Sequence, residues 1–161
     1  MRESSVIVVV RREDPCTLDA RMLLDELSAL AALYGASAAS SRFHDADVQT
    51  ARSAFVVART TDGEAIGCGA LSRYSFEVAE FTRIYRRPEW PGAGSGILRF
   101  LESQAAGMGY RRIVVQTREE NRRAIAFCLR HGYELVERSR DYGGTRDTSG
   151  FRKALALEKM I

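Results

Sequence analysis

The sequence predicts an α/β chain built on one mixed, mostly antiparallel central sheet of six to seven strands, with helices on both faces. Three observations carry that expectation. Strand-like and helix-like runs alternate along all 161 residues, with no repeat and no low-complexity tract. Residues 54–86 hold three consecutive strand-like runs with short connections, the pattern of an antiparallel meander. A glycine cluster, Gly92, Gly94 and Gly96, then joins the last of these strands to an amphipathic run, which places a helix directly after a strand. A chain of this length is expected to form a single domain over residues 1–161 and to bury roughly two-thirds of the surface its unfolded form exposes.

Val6 to Val10 is a continuous β-branched run, read as a buried strand. Asp14-Pro15 offers an N-cap and a first-turn proline, and Ala20, Leu23, Leu24, Leu27, Leu30, Ala31 and Tyr34 recur at helical spacing until Gly35. Residues 36–50 are small and polar, a loop with a short second helix. The meander follows as Ala54 to Arg59, a turn at Asp62-Gly63, Ala65 to Arg73, and Val78 to Arg86. Beyond the glycines, Ile97, Leu98, Leu101, Ala105 and Met108 define one helix face that closes at Gly109, and Arg112 to Thr117 is a strand centred on Ile113 to Val115. Asn121 can cap a further helix carrying Ala124, Ile125, Cys128 and Leu129, ended by Gly132 as a left-handed C-cap. Tyr133 to Arg138 and Ala154 to Glu158 are expected as the last strands, around a connection containing Gly143-Gly144.

Composition narrows the function classes. With 45% hydrophobic and 28% charged residues, the chain has the make-up of an ordinary globular protein. No run approaches the roughly 20 apolar residues that span a bilayer, and Glu3 with the short Val6 to Val10 block does not make a signal peptide, so a cytoplasmic location is expected. Cys16, Cys68 and Cys128 are odd in number and lack a short metal-binding spacing. They are read as buried small hydrophobes, with no disulfide framework and no metal expected. A net charge of +3, with arginines dispersed rather than interleaved with aromatics, does not argue for nucleic acid but suits a small anionic ligand.

The glycine cluster is the feature that such a ligand would use. Without side chains at Gly92, Gly94 and Gly96 the backbone can approach an anion, and the first N–H groups of the following helix lack intrahelical partners. A Walker A loop needs Lys followed by Ser or Thr after its last glycine, but Gly96 is followed by Ile97-Leu98. A dinucleotide fingerprint needs G-x-G-x-x-G, and here the third glycine comes one position early, although Glu119-Glu120 mimics a ribose-binding carboxylate. A third reading is a coenzyme A pyrophosphate loop.

The stretch Ala79-Glu80-Phe81-Thr82-Arg83-Ile84-Tyr85-Arg86-Arg87-Pro88-Glu89-Trp90-Pro91-Gly92-Ala93-Gly94-Ser95-Gly96-Ile97-Leu98 resembles the core motif of the GNAT superfamily of N-acetyltransferases, in which a strand runs through a turn into an R/Q-x-x-G-x-G/A loop and helix. The segment from Asn121 to Tyr133 is similar to the family's N-x-x-A-x-x-F-Y-x-x-x-G-F stretch and lies at the matching distance downstream. The resemblance implies the acyl-CoA N-acyltransferase fold, acetyl-CoA as co-substrate, and transfer to a primary amine of a small molecule or peptide in a ternary complex. It implies that the backbone of Ile84, Tyr85 and Arg86 holds the pantetheine arm and thioester, that Pro91, Gly92, Ala93, Gly94, Ser95 and Gly96 form the pyrophosphate loop, and that Asn121 and Phe127 flank the cofactor. Asn121 has a second reading as a plain N-cap. Glu89 stands where the family commonly has Gln or Arg, and Pro91 lacks a donor.

Two catalytic candidates follow. Cys128 occupies the position of the tyrosine that many members use to protonate the departing thiolate, and a thiol of pKa about 8.5 can do so; its other reading is a core-facing helix residue, with Tyr142 a substitute acid. Glu80 matches a carboxylate often found before the motif and is the candidate base, against a solvated or ion-paired role. Glu77, at odd separation, falls on the other strand face; a water chain or His44 could replace a fixed base, while His131 is expected to satisfy helix-terminal carbonyls. Residues 34–50 and 139–152, with Arg42, Asp45, Asp47, Arg140, Asp141, Arg146, Asp147 and Arg152, mix both signs and specify only a small amine. The expected partners are thus a small-molecule amine or peptide acceptor, with neither nucleic acid nor membrane, and a homodimer is left open. The other class of reading is a non-catalytic acyl-CoA-binding or sensor domain.

Overall fold

In the computed structural model, residues 7–33, 50–118, 121–140 and 147–155 are described. In chain order the elements are β1 (Val8–Arg12), α1 (Leu18–Ala32), β2 (Ala54–Thr60), β3 (Ala65–Arg73), β4 (Val78–Arg86), α2 (Ala93–Gly107), β5 (Arg112–Arg118), α3 (Arg122–Arg130), β6 (Glu134–Arg140) and β7 (Asp147–Ala154). The strands form one seven-stranded sheet in the order β1-β2-β3-β4-β5-β7-β6. Every neighbouring pair is antiparallel except β4 and β5, which run parallel. This is the mixed α/β architecture of the acyl-CoA N-acyltransferase fold.

Each face of the sheet has its own core. Val56, Ile66, Phe81, Ile97, Leu101, Ile113 and Cys128 pack together on the side of α2 and α3. Ala20 and Leu23 of α1 pack on the other side against Phe55, Val57, Cys68 and Ala70. The alternation of side chains along a strand divides the residues of β4 the same way. Ala79 and Phe81 lie in the α2 core, whereas Thr82 stands opposite Ala70 and so faces α1, and Glu80, two residues before Thr82, shares its face.

Helix α2 sits close to the sheet because β3 lacks side chains beneath it. A Cβ on Gly69 would lie 2.8 Å from Ile97 Cγ2, and one on Gly67 would lie 2.6 Å from the Tyr85 carbonyl oxygen and 2.9 Å from Ile97 Cδ1. Ile97 therefore fills a notch that only glycine leaves open, and the notch fixes where the helix begins relative to the end of β4. The strand itself is bulged there. Cys68 pairs with Tyr85 and Ala70 with Thr82, so β4 has one residue more than β3 across the interval. Arg83 takes a left-handed φ of 60° at the bulge, and the Cys68 thiol donates to the Arg83 carbonyl at 3.5 Å.

The first strand, expected as a buried run over 6–10, is Val8–Arg12, half-buried and then exposed, because it is an edge strand paired, among the described residues, with β2 alone. The N-cap of α1 is Thr17, whose hydroxyl accepts from Ala20 N–H. Asp14 instead closes a turn, its carboxylate accepting from Cys16 N–H at 2.8 Å. Helix α2 starts at Ala93, inside the glycine run rather than after it, and ends at Gly107 ahead of Gly109. The last strand lies earlier than the apolar Ala154 to Glu158 run implies: β7 is Asp147–Ala154, held by seven paired positions with β5 and anchored by the buried Phe151. Cys16 is exposed, while Cys68 and Cys128 are buried. The short helix expected in 36–50, Gly35, Glu119-Glu120 and Gly143-Gly144 lie outside the described residues.

The notch makes a stability prediction. Gly67→Ala forces the new methyl against a backbone carbonyl and is expected to destabilise the fold by about 1–3 kcal/mol. Gly107→Ala meets nothing within 4 Å at the end of α2 and is expected to be neutral or stabilising by up to about 1 kcal/mol. Chemical denaturation midpoints of the two variants, compared at constant m-value, check the contrast.

Candidate cofactor and acceptor site

The site begins where the parallel ladder ends. Strands β4 and β5 pair at only three positions, Val78 with Arg112, Ala79 with Ile113 and Glu80 with Val114. Beyond them β4 follows β3 as far as Arg86 and β5 follows β7 as far as Arg118, so the two strands diverge and leave a cleft in the sheet. Arg87 donates its N–H to the Ile66 carbonyl in β3 at 2.8 Å. Because backbone N–H groups alternate in direction along a strand, those of Arg86 and Ile84 turn toward the cleft and that of Tyr85 turns back to β3. Of the three residues expected to offer backbone donors, Ile84 and Arg86 have the direction to do so.

The N-terminus of α2 lies beside this opening. Gly92 is the N-cap at φ 98°, with no side-chain cap, a conformation that suits glycine alone. Ala93 N–H donates to the Trp90 carbonyl and Gly96 N–H to the Gly92 carbonyl. The N–H groups of Gly94 and Ser95 between them find no backbone acceptor among the described residues. They form the open end of the helix dipole, a seat for an anion. Pro91 precedes the cap, so its missing N–H removes no first-turn donor, and Glu89 is exposed.

Helix α3 closes the same end. The Asn121 side chain accepts from Ala124 N–H at 3.1 Å, capping the helix. Phe127 lies against the backbone of Gly94, 3.4 Å from where a Cβ would stand. His131 Nε2 meets Ser95 Oγ at 2.9 Å, and its ring packs on Phe127 with centroids 4.6 Å apart. The imidazole was expected at helix-terminal carbonyls; instead it ties the cap of α3 to the first turn of α2. The carbonyl of His131 is taken by Lys153 Nζ at 2.9 Å, a cation at the negative end of α3. Lys153 also meets Glu102 of α2 at 3.1 Å, and Glu102 accepts from the Tyr133 hydroxyl at 2.8 Å. Burial, aided by the neighbouring Arg130, lowers the His131 pKa below its usual value, which keeps the ring neutral near pH 7.

On the α1 side, Glu26 binds the far end of β4. Arg87 grips its carboxylate through Nε at 3.1 Å and Nη2 at 2.9 Å, and the Tyr85 hydroxyl donates to it at 2.9 Å. These hydrogen bonds to Arg87 outweigh burial and lower the Glu26 pKa, while burial raises that of Tyr85 to about 12. No local pattern could announce this cluster, since its partners are about sixty residues apart.

Glu80 is at the last paired position of β4, half-buried and facing α1. Glu77 precedes the strand, exposed, with Arg111 and Arg112 each 3.8 Å away. Cys128 is 5% exposed within the α2 core, and burial raises its thiol pKa to about 11. His44, Tyr142, Arg42, Asp45, Asp47, Asp141 and Arg146 lie outside the described residues. Two polar groups on β5 were missed by sequence reasoning: Thr117 Oγ1, and Nε with Nη2 of Arg118, are buried without a hydrogen-bond partner among the described residues. Their signal was a polar pair ending a strand whose centre is apolar. No group of three or more potential metal ligands occurs among the described residues.

The fold recurs in solved structures. An acetyltransferase from Streptococcus agalactiae superposes with a TM-score of 0.73 at 19% identity, covering 95% of this chain and 100% of that one. A Klebsiella pneumoniae protein put forward as an acyl-CoA N-acyltransferase gives 0.75 at 22% identity, with 92% and 98% covered. A GNAT family acetyltransferase from Elizabethkingia anophelis, solved with acetyl-CoA bound, gives 0.68 at 16% identity, with 92% and 98% covered. No curated protein matches the chain in sequence. The family model described as the acetyltransferase (GNAT) family matches residues 21–133, about 70% of the length, from within α1 to the end of the α3 motif: the chain belongs to the GNAT acetyltransferase family.

Proposed function

We propose that the chain is an acetyl-CoA-dependent N-acetyltransferase that moves an acetyl group directly to a primary amine of a small molecule or peptide within a ternary complex. The observation that carries this reading is the meeting of two sets of backbone donors: the opened β4 edge at Ile84 and Arg86, and the Gly94 and Ser95 N–H groups at the start of α2. An extended arm with an anionic end fits that arrangement, and a family relative is known with acetyl-CoA bound.

Coenzyme A supplies the acyl group as an activated thioester. The chain's residues then have separable tasks. Gly92 to Gly96 receive the pyrophosphate on backbone N–H groups, and Ser95 is held by His131. The Ile84 and Arg86 N–H groups hold the arm and polarise the carbonyl that is attacked. Tyr85 contributes its side chain to the Glu26 lock instead. Asn121 uses its oxygen as the helix cap, so its amide nitrogen is the group left to donate to the arm, and Phe127 walls the same end. Glu80 accepts the proton of the incoming amine, directly or through water. The buried position of Cys128 favours packing over proton donation, with the thiolate leaving to solvent. That same feature favours the second reading, a non-catalytic acyl-CoA sensor.

Calorimetric titration with acetyl-CoA followed by thiol release over a panel of amines separates the readings. Binding together with thiol release on at least one amine is expected. Tight binding with no release on any amine supports the sensor, and no binding contradicts both. Glu80→Gln is expected to lower kcat by about 10²-fold or more with acetyl-CoA affinity unchanged, and an unchanged rate would remove Glu80 as the base. Cys128→Ser is expected to lower the thermal midpoint while keeping kcat within a few-fold; a loss of the alkaline limb of the kcat profile would restore the thiol as proton donor.

The neutral His131 makes a pH prediction. Its folded pKa lies below the unfolded value of about 6.5, so its stabilising contribution is present above that value and is lost as pH falls through the folded pKa. Stability is therefore expected to fall as the pH drops below that value, and His131→Gln to flatten that dependence when thermal midpoints are measured between pH 5 and 8.

A further inference from the structure

The buried edge of Arg118 is the polar feature that the reading above leaves unused. Its Nε and Nη2 are shielded from solvent and have no hydrogen-bond partner among the described residues, a costly state for an ionised group. Those two nitrogens form one edge of the guanidinium plane, the edge that matches both oxygens of a carboxylate.

The register of the sheet says where that edge lies. Val114 stands beside Glu80 in the parallel ladder, and side chains two apart on a strand share a face. Val114, Gln116 and Arg118 therefore lie on the face of Glu80, toward α1, whereas Ile113 and Val115 pack in the α2 core. Arg118 is four residues beyond Val114, about 13 Å further along the strand, which, with the bulge at Arg83 counted, brings it level with the Ile84–Tyr85 stretch of β4 across the cleft. It is thus beside the stretch of β4 assigned to the thioester, and on the acceptor's side. The anion seat at Gly94 and Ser95 belongs to α2, which packs on the opposite face, so the cofactor's phosphates are on the wrong side of the sheet for Arg118.

We propose that Arg118 binds a carboxylate of the acceptor, and hence that the acceptor is an amino acid or a closely similar amine bearing a carboxylate near its nitrogen. The inference rests on the N-acetyltransferase reading, because it takes the α1 face of the cleft as the acceptor's place. The carboxylate fills the bidentate edge, and the amine is turned back toward Glu80 and the cleft. An amine of the same shape without the carboxylate leaves the guanidinium buried and unmatched, so the site selects against it.

The test uses the full chain saturated with coenzyme A, which needs no turnover. The proteinogenic amino acids and their carboxamides are titrated as matched pairs by calorimetry, against wild type, Arg118→Gln and Arg118→Lys. For at least one pair, wild type is expected to bind the carboxylate about 10- to 100-fold more tightly than the amide, the range of a charge-assisted hydrogen-bonded contact. Arg118→Gln is expected to abolish that preference and leave the affinities for the amide and for coenzyme A unchanged. Arg118→Lys, which keeps the charge and supports the fold if the glutamine variant does not, is expected to retain part of it. Equal binding of acids and amides by wild type overturns the inference, as does weakened coenzyme A binding in Arg118→Gln, which would assign the residue to the cofactor. Failure of wild type to bind coenzyme A at all would instead overturn the underlying cofactor reading.

Discussion

The structure depends on the early end of the parallel ladder between β4 and β5. A parallel pair in the middle of a sheet normally continues for the length of its strands, because every unpaired N–H or carbonyl in the interior is costly. Here pairing stops after Glu80 and Val114, and each strand goes on with its other neighbour. The backbone groups released by that divergence are what the cleft offers to a ligand. The left-handed Arg83 supplies the extra residue that re-aims the end of β4, and strain of this kind persists only where the surroundings over-determine it.

Those surroundings are identifiable. From one face, Ile97 enters the notch over Gly67 and Gly69 and presses α2 onto the bulged strand. From the other, Glu26 of α1 holds Tyr85 and Arg87. A third set, Phe127 on Gly94, His131 on Ser95 and Lys153 on Glu102 and the α3 terminus, keeps α3 against the first turn of α2. Cleft and helix terminus are therefore placed by packing and by hydrogen bonds outside the cleft itself, and the N–H groups of Gly94 and Ser95 are left without a backbone acceptor among the described residues.

Local patterns were legible where local physics decides the outcome. β3 and β4 have the boundaries their alternation implies, Asn121 caps α3 through its side chain, and Gly132 takes a left-handed φ. The pattern misled where tertiary pairing overrides it: the apolar 154–158 run outweighed the sparser β7, whose deep anchor among the described side chains is Phe151. The glycine run was correctly read as a helix entrance, yet the helix starts within it, since glycines that permit a tight approach can also occupy a first turn. The Glu26 cluster, the Ser95–His131 contact and the buried edge of Arg118 depend on pairing between distant segments, which residue spacing does not encode.

In the proposed function one ligand spans the β4 edge and the α2 terminus through backbone N–H groups. Amide resonances followed during titration with acetyl-CoA report on each of those groups. The N–H signals of Ile84, Arg86, Gly94 and Ser95 are expected to shift together with a single affinity and gain protection from hydrogen exchange, while that of Tyr85, already directed to β3, changes least among them. Shifts confined to one of the two donor sets, or the largest shifts elsewhere on the sheet, would contradict it.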